Sequence, residues 1–369
     1  MIGAVADITA WTMNMAPVIE ARRWGGERHG SDFQNLHRNK RSIAINLKSA
    51  EGIAILKRLV KDADVLVENY RPDVKFRLGI DYETLKPLNP RLVYASISGF
   101  GQDGPYRDRP GFDPIAQGMG GLMSITGLPG QGPVRAGIPI ADLCAGIFAA
   151  QGIFIALLER EESGEGQWVQ SSLLTAMIAM LDFQGSRWTM SHDVPGQEGN
   201  NHPTNIPAAV YRTQDGHINI AASSNPIFAK LCQALGAPQM ATDPKFVNFK
   251  VRRQNRDELN AHIDELTQKK TSAEWVELLN EAGVPCGPIY KMDQVFADPQ
   301  VKHLKMAQGV DHPSLGHIEL VGQPMFLSRT PSSLRTATPE RGQHTDEILQ
   351  SLGYDAAAIG KLRAEKVVA

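Results

Sequence analysis

The chain has 369 residues, of which 42% are hydrophobic and 21% charged, with a formal net charge of -2. These values are typical of a globular protein with two domains, or with one large domain and an insertion. The near-neutral charge, without a long basic run, argues against nucleic acid or an anionic membrane as the main partner.

Cysteine and histidine usage limits the kind of site and the cellular compartment that the sequence predicts. The ten histidines form no HExxH pattern, so we expect no dedicated metal site. The N-terminus lacks a basic region ahead of its apolar residues, which argues against a secretory signal. Three widely spaced cysteines, without a CxxC pair, predict reduced thiols in a cytoplasmic protein: Cys144, Cys232 and Cys286.

The first half of the chain alternates strand and helix patterns. Residues 1–20 show no clear period and stay unassigned, and residues 22–40 predict a loop. Such alternation predicts βαβ units, a parallel sheet covered on both faces and ligand sites at the carboxyl ends of the strands. The expected elements are a strand at 42–46, a helix after Lys48, a strand at 64–68, a helix at 82–88 and a strand at 91–97.

A glycine pattern follows the last of these strands. Gly99, Gly101 and Gly104 match GxGxxG, which in dinucleotide-binding proteins opens a helix. Here Pro105 to Gly111 continue as loop, so the pattern predicts turns or close approach of the backbone to a ligand.

The next stretch organises the rest of the chain. Residues 113–123 predict a helix, and Leu143 to Leu158 are apolar almost all round, which predicts a second helix buried on several sides rather than a membrane span. Asp142 falls at its expected N-cap. Two interpretations stay open from this stretch alone: Asp142 only caps the helix, or it is an ionised carboxylate presented to a cleft as a nucleophile.

The sequence pattern of the second half predicts a smaller α+β domain, after which the chain returns to the large domain. Residues 167–181 predict another apolar helix, 191–207 a linker, and 210–221 a hairpin that turns at Asp215-Gly216. Further expected helices are 225–235, 253–267, 272–282 and one from Thr345. We therefore expect a large α/β domain at 1–204, a small domain at 205–300, and a linker with a C-terminal return to the large domain at 301–369.

Six motifs in the same order resemble the class III CoA-transferases, which include formyl-CoA transferase, carnitine CoA-transferase and the bile-acid-inducible F type. The resemblance runs from about Arg22 to the C-terminus. The motifs are Asn39-Lys-Arg-Ser42, Glu68-Asn-Tyr-Arg-Pro72, Ser98-Gly-Phe-Gly101, Asp142, Gly283-Val-Pro-Cys-Gly-Pro288 and Gly342-Gln-His-Thr-Asp-Glu-Ile-Leu349.

The resemblance implies a reaction. Asp142 would attack an acyl-CoA thioester to give a mixed anhydride, and the CoA thiolate would return to form an aspartyl-CoA thioester that passes CoA to an acceptor carboxylate. It also implies a Rossmann-like large domain, an interlocked homodimer, and coenzyme A as co-substrate with no permanently bound cofactor. The implied CoA contacts are Ile45, Lys48, Asn69, Tyr70 and Arg77, and the implied substrate pocket holds Trp24 and Phe112.

Two differences from the family, and one related family, define the alternative functions. Only about twenty unlike residues precede Arg22, so we expect the family's first strand-helix-strand to be missing, which allows an inactive CoA-binding, dimerising pseudoenzyme. The glycine-rich lid of formyl-CoA transferase has no counterpart near Asn200 to Pro203, so the sequence does not support formate as a substrate. The related α-methylacyl-CoA racemases use a histidine where this chain has Phe112, which cannot transfer a proton.

Overall fold

The computed structural model describes residues 28–369 and the backbone of residues 6–10. Within these residues the strands are β1 (Ala6–Ala10), β2 (Arg41–Ile45), β3 (Val65–Glu68), β4 (Val93–Ser98), β5 (Trp168–Ser172), β6 (Ala208–Arg212), β7 (His217–Ala221), β8 (Cys286–Pro288), β9 (Ala307–His312) and β10 (Gly316–Val321).

The helices of the same residues follow in chain order. They are α1 (Ser31–His37), α2 (Ala50–Lys61), α3 (Pro72–Leu78), α4 (Tyr82–Leu85), α5 (Asp113–Met119), α6 (Leu122–Ile125), α7 (Ile140–Ser163), α8 (Leu173–Met180), α9 (Phe183–Ser191), α10 (Asn225–Ala234), α11 (Phe249–Gln254), α12 (Arg256–Thr267), α13 (Ser272–Glu281), α14 (Met292–Ala297), α15 (Pro299–His303), α16 (Thr345–Ser351) and α17 (Ala356–Ala364). Pro238–Ala241 adds one turn of 3-10 helix.

The chain packs as two compact units, and each is described by itself. The first contains residues 1–110, 146–172 and 292–369, and the second contains residues 111–145 and 173–291. These boundaries differ from the expected division at 204 and 300, because residues 111–145 and 173–204 pack with the second unit.

Parallel strands form the centre of the first unit. Strands β3, β4 and β5 pair in that order, and β1 runs parallel to β2 as a separate pair. Residues Leu92 to Ala95 are fully buried, as expected of a strand covered on both faces. These strands and the helices around them confirm the α/β class predicted from the sequence.

Residues near the C-terminus complete the core of the first unit. Leu349 of α16 and Leu362 of α17 pack in the same apolar cluster as Ile43 of β2 and Tyr94 of β4. Val368 also bridges to Ile45 at the end of β2. The last helices are therefore part of the support of the sheet.

The second unit is built on the antiparallel sheet β6-β7-β8. Its hairpin turns at residues 213–216, where the Thr213 N–H donates to the Gly216 carbonyl. Helices α10, α12 and α13 cover the sheet through a continuous apolar cluster that includes Phe228, Leu259 and Trp275.

Three predicted elements were wrong. Residues 167–181 form strand β5 before helix α8, because 168–172 pair in parallel with β4. The predicted loop 22–40 contains α1. The predicted helix 113–123 ends at Met119 and restarts at Leu122. Gly121 has a φ of +87°, which a helix cannot continue through.

Helix α7 also differs from the expectation that it is buried on several sides. It is long and apolar enough to cross a membrane by length and composition alone, yet only 28% of its most apolar segment is buried within the chain. Ile147, Phe154, Ile155 and Leu158 are 60–73% exposed. Its uniform apolar sequence therefore reflects a face that this chain leaves uncovered.

Candidate active site

Asp142 lies in the first turn of α7, two residues after the helix begins at Ile140. The predicted N-cap position was therefore wrong by three residues. The side chain is exposed, and within the described part of the chain no donor reaches its carboxylate. Asp142 thus presents both oxygens at a helix N-terminus without using either to cap the helix.

Asp113 performs the capping role instead. It is 6% exposed, and its Oδ1 accepts the Ala141 N–H at 2.9 Å. Its Oδ2 accepts a hydrogen bond from Gln117 Nε2 at 2.7 Å and lies 3.8 Å from Arg135 Nη2. A buried carboxylate thus satisfies one of the N–H groups that a helix leaves open at its start.

Gln117 fixes the chain that leads into α7. Its Oε1 accepts the Ala136 N–H at 2.9 Å, and its Nε2 also reaches the Ile138 carbonyl at 3.3 Å. The side chain is fully buried one turn after Asp113 on α5. Asp113 and Gln117 therefore hold both the approach to α7 and its first turn in place.

The pKa of the Asp142 carboxyl is raised above its ordinary value. Desolvation by the surrounding protein is the larger cause, and repulsion from the negative charge of Asp113 adds to it. A carboxylate of raised pKa is more basic and less well hydrated, which favours its use as a nucleophile. Only the ionised form can attack, so its chemistry depends on pH.

One backbone donor at this turn stays open. Ala141 N–H donates to Asp113, and Leu143 N–H donates to the Pro139 carbonyl at 3.0 Å. The Asp142 N–H has no acceptor within the described residues. It is therefore a donor of this turn that a developing oxyanion can use.

The predicted CoA contacts belong to the first unit, at the carboxyl ends of its strands. Lys48 is exposed in the loop between β2 and α2, and Asn69 and Tyr70 directly follow β3. Arg77 on α3 is 70% exposed, 3.6 Å from Asp73. Ile45 is fully buried, backbone included, so it offers no surface to a ligand in this structure. Lys48, Asn69 and Tyr70 thus each lie just after the carboxyl end of a strand, where ligand sites are expected in parallel sheets, and Arg77 lies on the helix that follows β3.

Burial also affects Tyr70. Desolvation, followed by the charge of Glu68, raises the pKa of its phenol. The hydroxyl therefore stays protonated across the working pH range, so that it remains a hydrogen-bond donor.

The structure describes only one of the two predicted pocket residues. Phe112 precedes α5 in extended conformation and is 71% exposed, next to Asp113. Trp24 lies outside the described residues. Neither observation tests its predicted role.

The glycine-rich loop after β4 behaves as predicted. Gly101 and Gly104 adopt φ values of +108° and +80°, and turns continue to residue 109. Between the end of β4 at Ser98 and Asp113, a stretch that the structure describes fully, no helix begins, so the loop lacks the helix N-terminus that a dinucleotide site requires.

His29, His312 and Glu340 form a cluster in the first unit whose ligand atoms lie within 4.8 Å of one another. His29 Nε2 lies 2.7 Å from Glu340 Oε1. The Nδ1 of His312 accepts the backbone N–H groups of Ser314 and Leu315. The ring proton of His312 therefore lies on Nε2, which disfavours that nitrogen as a metal ligand. We interpret the cluster as a hydrogen-bonded group.

The chain is similar to known proteins in both sequence and fold. The model of CoA-transferase family III matches residues 15–345, and the chain belongs to this family. An acyl-CoA transferase of Fusarium pseudograminearum is 39% identical over 338 residues, which are 91% of this chain and 74% of that protein. The succinyl-CoA:glutarate CoA-transferase of Homo sapiens is 34% identical over 353 residues, covering 95% and 81%.

A solved structure agrees with this assignment. A CAIB/BAIF family protein from Brucella suis superposes with a TM-score of 0.77 at 34% identity, covering 88% of this chain and 84% of that one. The chain is therefore an enzyme of the CoA-transferase class, with coenzyme A as co-substrate. The resemblance inferred from the six motifs is confirmed.

Asp113 and Gln117 were missed from the sequence. Both lie on the predicted helix after the Gly-Phe-Asp-Pro stretch, one helical turn apart on one face. That i, i+4 spacing of polar residues was the available signal, but only the fold shows that they meet the start of α7.

Proposed function

We propose that this protein transfers coenzyme A from an acyl-CoA to a carboxylic acid, with Asp142 as the covalent nucleophile. The observation that supports it most is the Asp142 carboxylate itself: exposed, without a hydrogen-bond donor among the described residues, and raised in pKa at a helix start that Asp113 caps. A residue that served only the helix would have its oxygens engaged by backbone N–H groups.

The proposed reaction conserves every group. An Asp142 oxygen attacks the thioester carbonyl, the C–S bond breaks, and CoA leaves as thiolate, with the acyl group now bonded to Asp142 as a mixed anhydride. The thiolate attacks the aspartyl carbonyl, releasing the donor as a free acid and leaving an aspartyl-CoA thioester. The acceptor carboxylate displaces CoA to form a second anhydride, and the thiolate attacks the acceptor carbonyl, which restores Asp142.

The environment of Asp142 supports the first step. Its N–H is unused within the described residues and can donate to the oxyanion that forms on the attacked carbonyl. Asp113 sets the start of the helix through Ala141 and keeps the neighbouring carboxyl basic through its charge. We assign Asp113 as a positioning residue.

We propose that Lys48 and Arg77 offset the phosphate charges of CoA, while Asn69 and Tyr70 contact its nucleotide. The exposure of Lys48, Asn69 and Arg77 at the carboxyl ends of the strands supports this assignment. We propose no direct CoA contact from the fully buried Ile45, and we propose Trp24 and Phe112 as residues of the acyl pocket. Because the human relative is named for succinyl-CoA and glutarate, we propose dicarboxylic acids as the first acceptors to assay.

Hydroxylamine trapping tests the nucleophile. With acyl-CoA present, hydroxylamine should convert Asp142 to a hydroxamate that peptide mass spectrometry locates. Asp142→Asn should lose the label, and its turnover should fall by roughly 10⁴-fold or more. Asp62→Asn, at an exposed aspartate that follows α2, is the matched control and should keep both. A hydroxamate on another residue, or turnover retained in Asp142→Asn, would reject the assignment.

We further propose that two copies interlock as a homodimer in the cytoplasm. The apolar residues that α7 exposes support a protein partner, and the free cysteines agree with a reducing compartment. Light scattering should give twice the chain mass, and Phe154→Lys should weaken the dimer. A wild-type monomer would contradict this proposal, and secretion of the native protein into the medium would contradict the compartment.

A further inference from the structure

A buried ion pair lies beneath the loop that follows β3. Lys75 on α3 is fully buried, and its ammonium lies 3.0 Å from Glu68 Oε1, whose side chain is 3% exposed. Two more acceptors, Ser96 Oγ at 3.4 Å and Gln102 Oε1, complete the three hydrogen bonds that an ammonium can donate.

The second oxygen of Glu68 holds the loop. Glu68 Oε2 accepts the Tyr70 N–H at 2.8 Å, so the carboxylate bridges Lys75 and the backbone two residues after itself. Asn69 lies between the two bonded residues. The conformation of both proposed nucleotide contacts is therefore fixed by a carboxylate that Lys75 holds in place.

The same ion pair orients α3. Lys75 and Arg77 are two residues apart on that helix, and α3 follows the loop at Pro72. The bond from Lys75 to Glu68 joins helix to loop, which sets the position of Arg77 relative to Tyr70. Trp168 packs near the ammonium, with its ring centroid 5.4 Å from Nζ, and donates its indole N–H to Ser96. Strand β5 thus contributes a side chain to the same hydrogen-bond network.

Energetic reasoning favours a functional role for this pair. A buried ion pair is weak evidence for stability, because an apolar replacement of both partners is often neutral or stabilising. Removing one partner alone leaves an uncompensated charge and is costly. This pair also fixes a main-chain N–H in the loop, which an apolar pair cannot do.

We propose that Lys75 and Glu68 are positioning residues for coenzyme A, which they order by fixing the Asn69–Tyr70 loop against α3. This inference rests on the proposed assignment of Asn69, Tyr70 and Arg77 to CoA. Neither Lys75 nor Glu68 needs to touch the ligand. Their effect is on the geometry of the residues that do.

The test is the affinity for CoA itself, measured by isothermal titration, together with steady-state kinetics. Lys75→Met should weaken CoA binding roughly 10- to 100-fold and raise the KM for acyl-CoA, with kcat at saturation little changed. Lys61→Met, at an exposed lysine on α2, is the matched control and should bind like wild type.

The double variant Lys75→Met/Glu68→Met separates positioning from packing. It replaces the ion pair by an apolar pair, which is often neutral for stability, and removes the acceptor of the Tyr70 N–H. It should therefore fold and still bind CoA roughly 10- to 100-fold more weakly than wild type, and it carries the test if Lys75→Met does not fold.

Three results would count against the proposal, and they are distinguishable. Wild-type protein that does not bind CoA would reject the proposed function and this inference with it. CoA binding in wild type with equal affinity in folded Lys75→Met would overturn this inference alone. A folded Lys75→Met/Glu68→Met variant that binds CoA with wild-type affinity would show that the bridge to Tyr70 does not order the loop, and would also overturn it.

Discussion

Asp113 accepts the Ala141 N–H at 2.9 Å, one residue before the proposed nucleophile. The residue that caps α7 and the residue proposed to react are therefore different carboxylates on different elements. This division leaves the Asp142 oxygens available, and it places a second negative charge near them, which contributes to the raised pKa of Asp142.

The first prediction concerns the pH dependence of turnover. Asp113→Asn removes that charge but keeps an oxygen that can accept the Ala141 N–H, so the cap is retained. The pKa of Asp142 should fall toward its ordinary value, and the ionised form should persist to lower pH. We expect the acid limb of kcat/KM against pH to move to lower pH than in wild type. An acid limb unmoved, or moved to higher pH, would show that Asp113 does not act through its charge.

The second prediction concerns stability. Because the pKa of Asp142 is higher in the folded protein than in an unfolded chain, its ionisation opposes folding. Its stabilising contribution is complete below the unfolded pKa and is lost as pH rises through the folded pKa. Asp142→Asn should therefore be more stable than wild type near neutral pH, and the difference should shrink on acidification. Urea denaturation near neutral pH and at acidic pH measures this difference in the free energy of unfolding. A less stable variant near neutral pH would contradict this reading.

The third prediction concerns Arg252, which is fully buried in the second unit. Its guanidinium donates to the carbonyls of Ile206, Phe246 and Ser223 and to Asn225 Oδ1. Arg252→Met leaves these acceptors without partners, and we expect a loss of about 3 kcal/mol or more in the free energy of unfolding.

The neighbouring residue supplies the control for Arg252. Arg253 on the same helix is exposed, so Arg253→Met should change the free energy of unfolding by less than about 0.5 kcal/mol. Equal losses in the two variants would show that the bonds of Arg252 are not what stabilises the unit.

Much of the fold was predictable because its signals are local. The β2-α2-β3 unit, β4 and the hairpin β6-β7 were found from apolar runs and turn residues, within a few residues of their true bounds. Strand β5 was missed because it passes directly into α8 with no glycine or proline between them, and only its pairing with β4 distinguishes the two.

The candidate site was predictable only in part. Asp142 was identified by its place before an apolar run, but the cap was assigned to it because the sequence cannot show which distant carboxylate meets a helix start. Asp113 precedes Ala141 by 28 residues, and the Glu68–Lys75 bridge depends on packing between a loop and a helix. Such pairings follow from tertiary structure rather than from spacing.

The most direct test of the central claim follows oxygen from the acceptor acid into the protein. With an acceptor labelled by oxygen-18 in its carboxylate, the double-anhydride route leaves one acceptor oxygen on the nucleophile when CoA departs with the acyl group. Mass spectrometry of the peptide containing Asp142 should show one heavy oxygen on that side chain after a single turnover. CoA transfer at the normal rate with an unlabelled Asp142 would contradict the account.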